Sequence, residues 1–91
     1  MLKIVEITTP TCGVCKMMTP MVDKVLSMYG EDVLEFEKYC AGVDAEAEEF
    51  VKKHGIVNVP VFFFMKDGEL VKRHDGALSL PQFKKLIEDY R

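Results

Sequence analysis

The sequence lacks several features that mark large classes of proteins. No segment approaches the roughly 20 apolar residues that a helix needs to cross a membrane, so no membrane association is expected. Basic residues are not in excess, since 12 lysines and arginines stand against 15 aspartates and glutamates. The net charge of −3 therefore provides no basic surface for nucleic acid. With three cysteines, a framework of two structural disulfide bonds is excluded.

What the sequence contains is typical of a compact soluble domain. Its 91 residues are enough for one modest core and too few for two, so residues 1–91 are expected to form a single domain. A monomer is expected. A hydrophobic fraction of 48% with 30% charged residues argues against disorder. The amino-terminal apolar run breaks at Glu6 and leads straight into the cysteine motif, unlike a signal peptide. A cytoplasmic protein is expected. In such a reducing compartment, paired cysteines are more often catalytic or metal-binding than structural.

Periodicity and turn residues predict seven elements in the order β-α-β-α-β-β-α. The first strand is apolar on both faces, which puts Glu6 in the interior, and Pro20 interrupts the first helix before Gly30 ends it. Asp67-Gly68 predicts a tight hairpin. The predicted elements are strand Leu2–Ile7, a helix from Gly13, strand Val33–Cys40, a helix capped by Asp44 and ended by Gly55, strands Val61–Lys66 and Glu69–His74, and a helix capped by Ser79 and reaching Tyr90.

Cys12-Gly13-Val14-Cys15 is the pattern with the most direct chemical meaning. Two cysteines at this spacing either exchange electrons as a dithiol and disulfide or bind a metal. The pair follows a strand and precedes a helix, a context that favours redox chemistry. A zinc site needs four ligands, and the other candidates, Cys40, His54 and His74, are placed singly. No metal site is predicted.

Four separated segments resemble the thioredoxin family in order and approximate spacing. They are Thr11-Cys12-Gly13-Val14-Cys15-Lys16-Met17-Met18-Thr19-Pro20, Gly55-Ile56-Val57-Asn58-Val59-Pro60, Lys66-Asp67-Gly68-Glu69 and Gly76-Ala77-Leu78-Ser79. The resemblance covers nearly the whole chain, without the family's extra amino-terminal strand and helix. It implies an α/β thioredoxin fold, in which a four-stranded mixed sheet carries three helices packed on both faces.

The resemblance also implies a protein disulfide reductase. Cys12 lies at the helix start, where free amides and the helix dipole stabilise a thiolate, so it is the expected nucleophile. Cys15 is the expected resolving thiol, one helical turn away. No bound cofactor is implied beyond a redox-active Cys12–Cys15 disulfide. The implied partners are disulfide-containing proteins and a donor, either an NADPH-dependent thioredoxin reductase or a small thiol.

Two charged residues are candidates for assisting proton transfer. A carboxylate in an apolar setting holds its proton more tightly, so Glu6 is predicted to take the proton of Cys15; the family usually has an aspartate there. The alternative is a glutamate that reaches water. Lys38 corresponds in the resemblance to a lysine that pairs with that acid, and the alternative is a solvent-facing lysine.

The remaining candidates concern substrate binding. The resemblance implies a cis bond between Val59 and Pro60, facing the cysteines, with the backbone before the proline free to pair with an extended peptide. Gly13, Val14, Val59 and Gly76 are the predicted contact surface. Gly76 is interpreted as a glycine of close backbone approach or as an ordinary turn glycine. Val14 stands where the family commonly has proline, and Thr11 where it commonly has tryptophan.

Three other functions compete with this prediction. The short length suits a glutaredoxin-like, glutathione-dependent reductase, although a single Gly76 does not match the double glycine typical of glutathione binding. A non-catalytic interaction module of the same fold is the second, and two intact cysteines argue against it. Zinc binding is the weakest. Cys40 is interpreted as a half-buried apolar residue, with a regulatory thiol as the alternative.

Overall fold

A computed structural model describes all of residues 1–91 and confirms the predicted order of elements. The strands are β1 (Leu2–Thr8), β2 (Leu34–Cys40), β3 (Val61–Lys66) and β4 (Glu69–Asp75), and the helices are α1 (Gly13–Met28), α2 (Ala45–His54) and α3 (Leu80–Tyr90). The strands form one sheet in the order β2-β1-β3-β4. β1 pairs parallel with β2 and antiparallel with β3, and β3 pairs antiparallel with β4, which gives the predicted mixed sheet.

Two apolar clusters cover the two faces of the sheet. The larger joins alternate residues of β1 and β3 to α1 and α3; its members include Ile4, Val22, Phe62, Phe64 and Phe83. The smaller joins the intervening strand residues, among them Val5 and Phe63, to Ala47 of α2. Because β1 and β3 are covered on both faces, their sequences are nearly continuous apolar runs rather than alternating ones. None of the three helices is long and apolar enough to cross a bilayer.

The local signals at the element ends are mostly realised. Ser79 and Gln82 form the predicted capping box at α3, and Gly55 ends α2 in the left-handed conformation. Asp67 and Gly68 both have positive φ, at 53° and 84°, as a two-residue hairpin of the primed type requires. Pro20 lies inside α1, which continues past it to Met28, so the proline does not end the helix.

Two predicted helix ends differ from the structure. α1 stops at Met28 because Tyr29 is extended, with a φ of −120°, and Gly30 has no left-handed conformation. The Gly30 carbonyl instead accepts the amides of Val33 and Leu34, which turns the chain into β2. Asp44 occupies the position before α2 but makes no side-chain cap; its carboxylate accepts the amide of Cys40 at 2.7 Å.

Candidate active site

The Cys12–Cys15 pair lies at the amino-terminal end of α1 and is joined by a disulfide bond, with the two Cα atoms 5.3 Å apart. Cys12 is the residue that precedes the helix, and its Sγ accepts the amide of Cys15 at 3.0 Å. Its side chain is partly exposed, whereas Cys15 is only 5% exposed. A helix start offers amide donors and a positive dipole end, so negative charge on the Cys12 sulfur is stabilised there. The two sulfurs therefore differ in access as a nucleophile and a resolving thiol would.

Glu6 is the only buried charged side chain of the chain, at 1% exposure. It lies on the sheet face covered by α1 and α3, and neither carboxylate oxygen has a hydrogen-bond partner. Burial raises the pKa of Glu6 to about 7, although the positive charge of Lys38 opposes the rise. The alternative that Glu6 reaches water is therefore wrong, and the carboxyl is able to exchange a proton near neutral pH.

Lys38 is the neighbour of Glu6 in the sheet. The two residues are register partners in the parallel β1–β2 pair, so their side chains share a face. Lys38 is exposed on the edge strand, yet its Nζ lies 3.4 Å from the Oγ1 of Thr19 in α1. It is thus both solvent-facing and directed toward the helix that carries the cysteines. The positive charge of Lys38 lowers the pKa of Glu6, as expected of a lysine that pairs with the acid. The role of Lys38 in turnover stays a prediction.

The Val59–Pro60 peptide bond is cis, as the resemblance implies. Pro60 is buried and Val59 is partly buried at the entrance to β3. The Pro60 carbonyl accepts the amide of Gly76 at 2.8 Å, which joins the chain after β4 to the start of β3. Pro60, Val59 and Gly76 are therefore one structural unit.

Gly76 has a backbone conformation that favours glycine. Its φ is +97°, a region that other residues rarely adopt. No atom of the chain would lie within 4 Å of a Cβ at this position, so no other segment of the protein approaches the backbone closely there. The conformation agrees with the turn interpretation, and a close approach by a bound substrate stays a prediction.

Two apolar side chains close to the cysteines along the chain are exposed. Val14 is 47% exposed and Met17 80%, and Gly13 between the cysteines is exposed as well. None of the four cavities of the protein includes either cysteine among its lining residues.

Of the other candidate metal ligands, the two histidines are engaged elsewhere. His54 packs against the rings of Phe50 and Phe63, with centroids 5.6 and 4.8 Å away. The Nε2 atom of His74 lies 3.1 Å from the carbonyl oxygen of Ala77. Cys40 is a free, partly buried cysteine at the end of β2. No group of three or more histidine, cysteine or acidic side chains is arranged to hold a metal ion.

One residue of the site escaped the sequence analysis. Thr19 donates its hydroxyl hydrogen to the Cys15 carbonyl at 3.4 Å and contacts the Lys38 ammonium. In the sequence it is an ordinary polar residue before Pro20. Its four-residue spacing from Cys15 permitted the first contact, but nothing local indicated the second, which depends on how α1 lies on the sheet.

Comparison with known proteins places these observations in context. The thioredoxin family model matches residues 1–89. The chain is 29% identical over 87 residues to a thioredoxin of Bacillus subtilis, covering 96% of this chain and 80% of that protein. It is 30% identical over 86 residues to NADPH-dependent thioredoxin reductase 3 of Arabidopsis thaliana, covering 93% of this chain and 15% of that protein.

A solved structure agrees with the fold. The crystal structure of a thioredoxin from Nicotiana alata superposes with a TM-score of 0.83 at 28% identity, covering 99% of this chain and 73% of that one. The chain spans between 15% and 48% of the length of four of its curated relatives. These relatives therefore contain segments with no counterpart in the 91 residues.

Proposed function

Because this chain belongs to the thioredoxin family, we propose that it is a thiol-disulfide oxidoreductase that reduces disulfide bonds in proteins. The observation that carries the proposal is the asymmetry of the cysteine pair at the start of α1. Cys12 is accessible and accepts the Cys15 amide, while Cys15 is buried one turn along the helix. An enzyme that forms and then resolves a mixed disulfide needs this difference.

The proposed reaction begins from the reduced pair. The Cys12 thiolate attacks one sulfur of the substrate disulfide, forms a mixed disulfide and displaces the other substrate sulfur, which takes up a proton. Cys15 then loses its proton and attacks the Cys12 sulfur. The bond between Cys12 and the substrate breaks, the second substrate sulfur leaves as a thiolate and takes up a proton, and the Cys12–Cys15 disulfide forms. The substrate gains the two electrons that the cysteine pair gives up.

Glu6 is proposed to accept the proton of Cys15 in the second step. The carboxyl is buried without hydrogen bonds on the sheet face that α1 covers, and burial holds its pKa at about 7. A base whose pKa is close to the working pH serves proton transfer best. The resolving step is therefore expected to slow as the pH falls below about 7, where Glu6 carries its own proton.

The proposed substrates are proteins that present an extended segment. Gly13, Val14, Val59 and Gly76, with Pro60 beneath them, form the proposed docking face. Support comes from the exposed apolar side chain of Val14 between the two cysteines. A relative that is itself named an NADPH-dependent thioredoxin reductase favours such a reductase over a small thiol as the electron donor. A monomer in the cytoplasm is proposed, since the free Cys40 suits a reducing compartment.

The test is disulfide reduction of a model protein with either a thioredoxin reductase and NADPH or glutathione as donor. Wild type should be active with the reductase, Cys12→Ser inactive, and Cys15→Ser should accumulate a mixed disulfide on Cys12. Cys40→Ser is the matched control, because it removes a thiol outside the pair, and it should keep full activity. Full activity of Cys12→Ser would refute the mechanism. Activity with glutathione alone would identify a glutaredoxin-like enzyme, and binding of a partner without turnover would identify an interaction module.

A further inference from the structure

We propose that Thr19 is a positioning residue, whose hydroxyl holds the Lys38 ammonium against α1 on the sheet face where it acts on the Glu6 carboxyl. This role rests on the proposed function, in which Glu6 serves the resolving thiol. Thr19 touches neither substrate nor sulfur. It acts through Lys38.

The hydrogen bonds around Thr19 have only one consistent direction. Lysine has no acceptor, so the 3.4 Å contact with the Lys38 Nζ requires the Thr19 oxygen to accept. The single hydroxyl hydrogen is then free to donate to the Cys15 carbonyl, which also lies 3.4 Å away. A threonine in a helix commonly bonds to the carbonyl four residues earlier, and that contact alone would have only local meaning. The second contact adds a link from Cys15 through Thr19 to Lys38.

Without this link Lys38 has little to hold it. It is exposed on β2, which is an edge strand, and no salt bridge engages its ammonium. A long side chain in that setting samples many rotamers in water. Thr19 therefore determines how much of the time the positive charge lies over the α1 face of the sheet.

The charges that face Glu6 are few. Its register partner on β2 is Lys38 and its partner on β3 is Phe62, and the next residue across the sheet is His74 of β4. At this end of α1 the groups able to titrate are Cys12 and Cys15, which are joined in the oxidised protein, and Lys16, which is exposed. Of all these groups, Lys38 is the one whose charge acts on Glu6, in the direction that favours the ionised carboxylate.

The experiment follows the Glu6 carboxyl carbon by NMR through a pH titration of the oxidised protein, in which Cys12 and Cys15 are joined and do not titrate. Lys38→Gln should raise the Glu6 midpoint by roughly 1 pH unit, and Thr19→Val, which keeps the shape without the hydroxyl, by roughly half of that. Thr19→Ser restores the hydroxyl and should return the wild-type midpoint. A variant with both Thr19→Val and Lys38→Gln should have the same Glu6 midpoint as Lys38→Gln alone, because Thr19 acts only through the lysine.

Matched controls and a second readout complete the test. Lys24→Gln removes one exposed positive charge elsewhere on α1 and should leave the midpoint unchanged. In turnover, the acid limb of the resolving step should move to higher pH in Thr19→Val. A wild-type midpoint in Thr19→Val would overturn the proposal, as would a wild-type midpoint in Lys38→Gln or additive effects in the double variant. Since the titration needs no turnover, its outcome is independent of whether the protein reduces disulfides.

Discussion

Glu6→Gln tests the energetic consequence of burying a carboxyl group with no partner. The Glu6 pKa is about 7 in the folded protein against an ordinary value of 4.5. The folded state therefore binds the proton more tightly than the unfolded state does. Stability is then greatest below pH 4.5, decreases as the pH rises through about 7, and is constant above that as far as this group is concerned. At about 1.4 kcal/mol per pH unit, ionising Glu6 costs on the order of 3 kcal/mol of the free energy of unfolding.

The assay is urea unfolding of the oxidised wild type and the oxidised Glu6→Gln variant across the range from about pH 4 to about pH 8.5. A glutamine keeps the shape of the side chain but does not titrate. Its buried amide has no hydrogen-bond partner, so the variant loses some stability by an amount that does not change with pH. The informative quantity is how the stability difference between the two proteins changes with pH. It should shift in favour of the variant by on the order of 3 kcal/mol between the two ends.

Glu35→Gln is the matched control, since it removes an exposed glutamate from β2 by the same chemical change. Its stability relative to wild type should hardly vary over the same range. If the Glu6→Gln difference varied by less than about 1 kcal/mol, the carboxyl would be hydrated in solution, and the proposed use of Glu6 as a base tuned by burial would lose its physical basis.

Two further predictions concern the conformation of Gly76 and the cap of α3 at Ser79. Gly76→Ala should lower the free energy of unfolding by about 1 kcal/mol, because a φ of +97° is unfavourable for alanine. Steric overlap adds nothing, since no atom lies within 4 Å of the new Cβ. An unchanged urea midpoint would mean that this turn relaxes freely. Ser79→Ala should cost about 1 kcal/mol by removing the side-chain bond to the Gln82 amide. Ser79→Asp, which retains an acceptor, should keep most of that stability in the same urea measurement, and equal losses in both variants would refute the capping role.

The fold was predictable because each local signal agreed with the others. Apolar runs, a capping box and the Asp67-Gly68 hairpin determine where elements begin and end, and those signals act over a few residues. The exceptions are instructive. Asp44 and Gly30 have the residue types of helix ends, yet the Asp44 carboxylate binds the Cys40 amide and Gly30 turns the chain into β2. The Asp44 carboxylate had two kinds of local partner available, the first amides of α2 and the Cys40 amide. Only the completed fold decides between them.

The site was predictable in part for a different reason. The cysteine pair is local, so its spacing and its place before a helix are visible in the sequence. The burial of Glu6 was predictable as well, because its strand is apolar on both faces. The cis bond before Pro60 followed only from the family resemblance, since a trans bond is the common state of such peptides. Contacts between side chains of different elements, such as Thr19 with Lys38, had no such signal in the sequence.

Thr19 shows why contacts between different elements could not be predicted from the sequence. Its two contacts join positions separated by 4 and 19 residues, and the longer one exists only because β1 and β2 pair with Glu6 opposite Lys38. A shift of that register by one residue would turn Lys38 to the face covered by α2 and leave Glu6 without a nearby cation. The sheet register therefore sets the charge next to Glu6, and Glu6 in turn is proposed to set the pH range in which Cys15 resolves the mixed disulfide. The proposed proton transfer from Cys15 thus depends on strand pairing that the four residues of the motif do not encode.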